Sequence, residues 1–188
     1  MTLRFVDSWD HYNSSQLPYK YNSAGAIAAI TAAAGRNGTN GLRFAGGTND
    51  SHIALAMKLA GETTQIFGHA FILRSAPTLD LSVPIAWMFE ADNTLHVTIA
   101  VNQQRFLAAY RGYGDGFGGS TLLGVSSVAL QEDVSYYLEY KVTISDTVGV
   151  VEIRLNGVVI MNLINQDTKN GGTAGTIDSV TFGAKNRP

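Results

Sequence analysis

The stretch Tyr136–Ile144 constrains the fold more than any other part of the chain. Tyr136, Leu138, Tyr140, Val142 and Ile144 share one parity, and Tyr137, Glu139, Lys141 and Thr143 share the other. Alternation at period two gives an extended segment one face for a core and one for water, whereas a helix would scatter the same residues around its axis. The following run repeats the pattern, with Val151, Ile153 and Leu155 against Glu152 and Arg154. Asn156-Gly157 interrupts it, and Val158–Leu163 reads as the returning strand. Asn-Gly between two apolar runs predicts a two-residue hairpin, because both residues accept positive φ.

The same period recurs along the chain. Ser51–Leu59 sets Ile53, Leu55, Met57 and Leu59 on one face, and Val83–Phe89 sets Val83, Ile85, Trp87 and Phe89 on one face. Leu95–Val101 opposes Leu95, Val97, Ile99 and Val101 to His96, Thr98 and Ala100, and Phe106–Tyr110 aligns Phe106, Ala108 and Tyr110. Thr176–Phe182 is a last short strand, and Glu90–Thr94 is a polar hairpin connection. Ala24–Ala34 competes as a helix through its alanines, but Gly25, Gly35, Ile27, Ile30 and Thr31 favour a small-residue strand, with a short helix as the alternative. Glycines gather between the runs, at Gly46-Gly47, Gly112–Gly119 and Gly171-Gly172, where loops are expected. Many short strands with frequent turn signals mean a sandwich or a barrel. Trp87, Phe89, Leu138, Tyr140, Val142, Val151, Ile153 and Leu155 are the expected core.

No linker breaks the 188 residues, so one domain over 1–188 is expected. With 45% hydrophobic and 15% charged residues, the chain has the material for a packed core, and with no cysteine its stability must come from packing rather than disulfides. A net charge of −2 with scattered basic residues argues against nucleic acid as a partner. No apolar stretch approaches the roughly 18 residues of a membrane span, and the opening Met1–Asp7 lacks the apolar region of a signal peptide.

Tyr136–Ile144 followed by Gly149–Gly157 resembles the paired strands of laminin G/concanavalin A-like domains, in which an aromatic opens a strand of the form W-x-x-I-E-x-K-V and a short turn leads to G-x-V-x-V-x-V-N-G. Here Tyr136 or Tyr137 stands where Trp is usual. The opening Leu3–Tyr12, with Phe5, Asp7, Trp9, Asp10 and Tyr12, is similar to the start of bacteriophage structural proteins that carry this domain, and Asp167-Thr168 and Ile177–Gly183 resemble the same group. The resemblance implies an all-β fold, a two-sheet antiparallel jelly-roll sandwich. Such relatives continue into a further strand with paired aspartates, whereas this chain ends at Pro188. That strand is absent, supplied by another chain, or part of a longer protein.

Catalytic arrangements are incomplete. Family-16-type glucanases share the fold and place Glu-x-Asp-x-(x)-Glu on one strand, so that period two gathers the carboxylates in a cleft. The nearest match, Glu90-Ala91-Asp92-Asn93-Thr94-Leu95, has no second glutamate and reads as a turn. His11, His52, His69 and His96 are single and lack metal-type spacing, and His52 and His96 are expected on solvated strand faces. No serine stands in G-x-S-x-G. Arg111–Gly119 lacks the lysine of a P-loop. It reads as an exposed loop or as a contact loop in which Tyr113 and Phe117 stack on a sugar or apolar patch and Asp115 accepts hydrogen bonds from hydroxyls. A structural calcium ion is common in such domains, but no spacing singles out Asp50, Asp92, Asp146 or Asp167 for one, so no cofactor is expected. The sequons at Asn13, Asn37 and Asn49 carry little weight without a secretory signal.

The resemblance implies a non-enzymatic component of a bacteriophage virion, assembled in the host cytoplasm and displayed on the particle as a tail or tail-tip adhesion module or a capsid decoration. Its partners would be other virion proteins, copies of itself and a host surface glycan, with no membrane insertion. The alternative is a carbohydrate-binding, lectin-like module, and a glycan hydrolase ranks behind both. Few charges are available to blunt open sheet edges, so Ala24–Ala34 and Thr121–Ala129, if they lie at an edge, point to contacts between chains through sheet edges or the Gly112–Gly119 loop.

Overall fold

The computed structural model describes residues 5–7, 13–16, 23–24, 29–31, 39–43, 53–74, 82–114 and 119–184. Its strands in chain order are β1 (Phe5–Asp7), β2 (Ser23–Ala24), β3 (Ala29–Thr31), β4 (Gly41–Arg43), β5 (Ile53–Glu62), β6 (Thr64–Ile72) and β7 (Val83–Phe89). They continue as β8 (Leu95–Val101), β9 (Phe106–Arg111), β10 (Thr121–Ala129), β11 (Ser135–Thr143), β12 (Gly149–Leu155), β13 (Val158–Gln166) and β14 (Ile177–Ala184). A single 3-10 turn, Ser14–Gln16, is the only helical element among the described residues. The chain is all-β, as the alternation predicted. The two described pieces of Ala24–Ala34, Ala24 at the end of β2 and Ala29–Thr31 as the whole of β3, are strand rather than helix.

Two sheets form a sandwich. The five-stranded sheet runs β1-β6-β11-β12-β13, and the seven-stranded sheet runs β10-β9-β8-β7-β14-β5-β2; β3 and β4 pair separately. All pairings in the two large sheets are antiparallel except β1 with β6. The β12–β13 hairpin turns at Asn156 and Gly157, with φ of 51° and 81°. Positive φ at both central residues is the turn whose twist matches that of the flanking strands.

The core lies between the sheets. Leu138, Tyr140 and Val142 of β11 and Val151 and Ile153 of β12 are fully buried there, on the parity predicted. Phe182 of β14 reaches across to Phe67 of β6, ring centroids 5.9 Å apart, while Phe67 stacks on Tyr140 at 5.0 Å. His69 joins this cluster. Its Nδ1 lies 2.9 Å from the Ala70 carbonyl oxygen and so carries the proton; its Nε2, 3.1 Å away, accepts from the Tyr140 hydroxyl. A buried polar pair is tolerable in such a place because each group finds a partner. Burial holds the Tyr140 hydroxyl far above its ordinary pKa, so it stays a donor.

The predicted phase of β7 is corrected. Met88 and Ala86, not Trp87 and Phe89, face the core: Met88 pairs with Val180 and Val97, Ala86 with Phe182 and Ile99. Trp87 pairs with Thr98 and Thr181 on the outer face, and Phe89 is only half-buried. The cause is a bulge. Pro84 pairs with Ala100 and Ala86 with Ile99, so Ile85 is an extra residue that reverses the parity of all that follows.

Candidate functional site: the loop end of the seven-stranded sheet

The outer face of the seven-stranded sheet is not solvated where β7, β8 and β9 run. His96, Thr98 and Ala100 of β8 are fully buried, as are Ala108 of β9 and, nearly so, Tyr110 and Trp87. Polar atoms here are satisfied internally. The Ser82 and Tyr110 hydroxyls lie 3.0 Å apart, and Thr98 Oγ1 donates to the Gly112 carbonyl at 2.6 Å. His96 is therefore corrected from a surface residue to a buried one, because the face that alternation marked as polar is covered by loops.

Glu90 follows β7 directly and His96 is the second residue of β8, so the hairpin between them brings the two side chains together. The hairpin itself is as predicted: Glu90 N donates to Thr94 O, Asn93 takes φ 68° and Asp92 Oδ1 caps Thr94 N at 2.8 Å. The Glu90 carboxylate, however, turns inward and is almost completely buried. Its Oε1 accepts from Thr173 N (3.2 Å), Thr173 Oγ1 (3.1 Å) and Ala174 N (2.8 Å), and its Oε2 from Gly175 N (3.0 Å) and His96 Nε2 (2.9 Å). These donors, the Ala174 N–H foremost, outweigh the cost of burial and lower the pKa from 4.5 to about 2. His96 Nδ1 accepts from Asn170 N at 3.2 Å, which places its one proton on Nε2, toward Glu90. The carboxylate and the imidazole thus spend their hydrogen-bonding capacity on structure. An ionised, shielded carboxylate has no proton to give as a general acid, and both imidazole nitrogens are occupied.

The pair fastens the segment that follows β13. Thr168, fully buried, accepts from Ser145 N at 3.0 Å and donates to Thr143 O at 2.7 Å, anchoring the start; Glu90 anchors the end. Gly172 must be glycine: it has φ 73°, and a Cβ there would lie 2.5 Å from Glu90 Oε2.

The predicted contact loop emerges beside this segment. Gly112 N donates to His96 O at 2.9 Å, and Ser120 Oγ donates to Gly114 O at 2.5 Å. Arg111 at its base donates to Asp167 and, at 3.2 Å, to Thr121 Oγ1. Tyr113 is exposed by 46%. Asp115 and Phe117 lie outside the described residues, as do His11, His52 and Asp50. Among the described residues no cluster of three or more acidic, histidine or cysteine side chains could hold a metal; Asp146 faces Lys169 and Asp167 faces Arg111. Sequence reasoning placed Tyr113 on an exposed loop but did not bring Glu90, His96 and Thr173–Gly175 together. The hairpin at Glu90–Thr94 could have paired Glu90 with His96, six residues on, but no local signal could have added Thr173–Gly175, which lie 83 to 85 residues from Glu90.

No protein-family model matches the chain, and no curated protein matches it in sequence. Solved structures do match in fold. The alginate lyase Aly36B aligns with a TM-score of 0.58 at 14% identity, over 96% of this chain and 86% of the lyase. A sialidase aligns with a TM-score of 0.54 at 9% identity, over 96% of this chain and 15% of the sialidase. A tetrameric galectin from the ball sponge Cinachyrella sp. aligns at 0.46 and 9% identity, over 71% of this chain and 89% of the galectin. At these identities the likeness is one of fold, the jelly-roll sandwich.

Proposed function

We propose that the chain is a non-catalytic carbohydrate-binding module that contacts an extended polysaccharide through the loop end around Gly112–Gly119. The observation that carries this reading is the fold likeness to an alginate lyase along nearly the full length of both chains. Two features favour binding over catalysis. Glu90 and His96 are engaged with each other and with backbone, and an exposed aromatic, Tyr113, stands on a loop braced at both ends. Such a side chain offers a flat apolar surface and a hydroxyl, which suits the alternately apolar and hydroxylated faces of a sugar.

Affinity electrophoresis through gels containing neutral and uronate polysaccharides tests the reading. At least one polymer should retard the protein, and Tyr113→Ala should reduce the retardation while leaving the melting temperature unchanged. Migration unaffected by every polymer overturns the binding reading. Release of unsaturated or reducing sugar ends overturns the non-catalytic part. A virion setting is a narrower version of the same module; its support is the sequence resemblance of Leu3–Tyr12 and Ile177–Gly183 to phage structural proteins.

A further inference from the structure

The segment between β13 and β14 is anchored at its start by Thr168 and at its end by the Glu90 carboxylate. Asn170 ties its middle to β8 through two bonds. Asn170 N donates to His96 Nδ1 at 3.2 Å, and Asn170 Nδ2 donates to the Leu95 carbonyl at 3.0 Å. The next residue, Gly171, is exposed, with φ 71°. Among the described residues its N–H has no hydrogen-bond partner, and no atom beyond its chain neighbours lies within 4 Å of where its Cβ would stand.

An asparagine before such a glycine can react with its own backbone. The Gly171 amide nitrogen attacks Asn170 Cγ, the Cγ–Nδ2 bond breaks, and Nδ2 leaves as ammonia, carrying away the proton of the Gly171 nitrogen. A five-membered succinimide ring results. Water then opens the ring at Cγ to give aspartate, or at the backbone carbonyl to give isoaspartate, whose chain runs through Cβ. Glycine favours the attack because no Cβ crowds its nitrogen.

Three other Asn-Gly pairs occur, at 37–38, 40–41 and 156–157. Asn37 and Gly38 lie outside the described residues, and Gly41 is buried in β4. At 156–157 the side-chain carbonyl is pinned across the hairpin. Asn156 Oδ1 accepts from Tyr137 N at 2.8 Å, and Asn156 N donates to Tyr137 O at 2.8 Å. Aspartate there would keep the acceptor. At Asn170 the bonded side-chain atom is instead the nitrogen that leaves, and a new carboxylate would face the Leu95 carbonyl with no proton to share. It would also add a second negative charge beside the imidazole that Glu90 already faces. The flanking cations are engaged, Lys169 with Asp146 and Arg111 with Asp167.

We infer that Asn170-Gly171 is a self-modification site, at which deamidation releases the segment between β13 and β14 from β8. The inference uses neither Tyr113 nor any sugar, so it stands apart from the glycan reading.

Peptide mapping of the full chain, held over time at mildly alkaline pH, tests it, with a synthetic peptide of residues 166–176 as the reference. Asn170 should yield aspartate and isoaspartate within about tenfold of the peptide's rate, and faster than Asn156. The fraction modified at Asn170, separated by anion exchange, should be cut by protease between β13 and β14 roughly five- to tenfold faster than the unmodified fraction. Asn170→Asp should behave the same way without ageing, and Asn156→Asp should not. Should Asn170→Asp fail to fold, the aged wild-type fraction carries the measurement. An Asn170 that stays intact while the peptide converts, or that converts more slowly than Asn156, overturns the site. Conversion that leaves the cleavage rate of this segment unchanged overturns the release.

Discussion

The two sheets share one core but treat their outer faces differently. On the five-stranded sheet the outer face of β11 and β12 is half-buried, open to water at least at Arg154. Glu139 stands opposite Arg154 and Lys141 opposite Glu152, so charges alternate in sign across β11 and β12. On the seven-stranded sheet the outer face of β8 and β9 is dry, and its polar atoms are matched internally by Glu90, His96, Thr98 and Tyr110. The difference teaches that a polar side chain at the same parity of a strand can be partly solvated in one sheet and an internal brace in the other. What decides is whether loops cover the face.

The layer common to both sheets sets the upper limit of any such difference. Leu138→Ala should destabilise by roughly 2–5 kcal/mol in urea denaturation, because it removes fully buried methyl groups from close-packed surroundings. A loss of under about 1 kcal/mol would mean that β11 is not central to the core.

Glu90→Ala should come next, at roughly 1–3 kcal/mol, since it strands the buried N–H group of Gly175 and the part-buried N–H groups of Thr173 and Ala174. Proteolysis should then open the segment after β13 before the rest of the sandwich. If the variant melts like the parent, the dry face is no brace and the contrast between the sheets fails. Acid sharpens the same point. The folded-state pKa of Glu90, about 2, lies below the ordinary 4.5, so its stabilisation is complete above pH 4.5 and is lost as pH falls through 2. The parent's melting temperature should therefore fall more steeply than that of Glu90→Ala across this window. Parallel curves would show that the carboxylate is not preferentially ionised in the folded state.

Thr98→Val, nearly isosteric, removes the bond to Gly112 O and should cost about 1 kcal/mol. Loosening of Gly112–Gly119, read by hydrogen exchange, should accompany it. The smallest effect belongs to the half-buried face: Glu139→Ala should change stability by less than about 0.5 kcal/mol, within the range of surface charges. Should Glu139→Ala cost as much as Thr98→Val, the two outer faces are energetically alike.

The residues themselves carried much of the architecture. In β11 and β12 one face is apolar and the other charged, so period two had a single solution, and Leu138, Tyr140, Val142, Val151 and Ile153 could be assigned inward. Asn156-Gly157 fixed the hairpin through backbone conformation alone. Alternation, composition and turn chemistry act between near neighbours, and a linear reading recovers what near neighbours decide. The site was less legible: Tyr113 could be placed on an exposed loop, but nothing local marks Glu90 or His96 as buried.

Those matters were settled only by the tertiary structure. In β7 both parities are apolar, and the extra residue at Ile85 reversed them without leaving a trace in composition. His96 and Thr98 read as surface residues until loops closed over them. The Glu90 carboxylate acquired its partners from a segment more than eighty residues away in the chain. That β10 and β13, both uncharged, would end up as adjacent outer strands is a property of strand order. Strand order and face coverage arise from long-range packing, where the free energy of burial depends on what arrives from elsewhere in the chain.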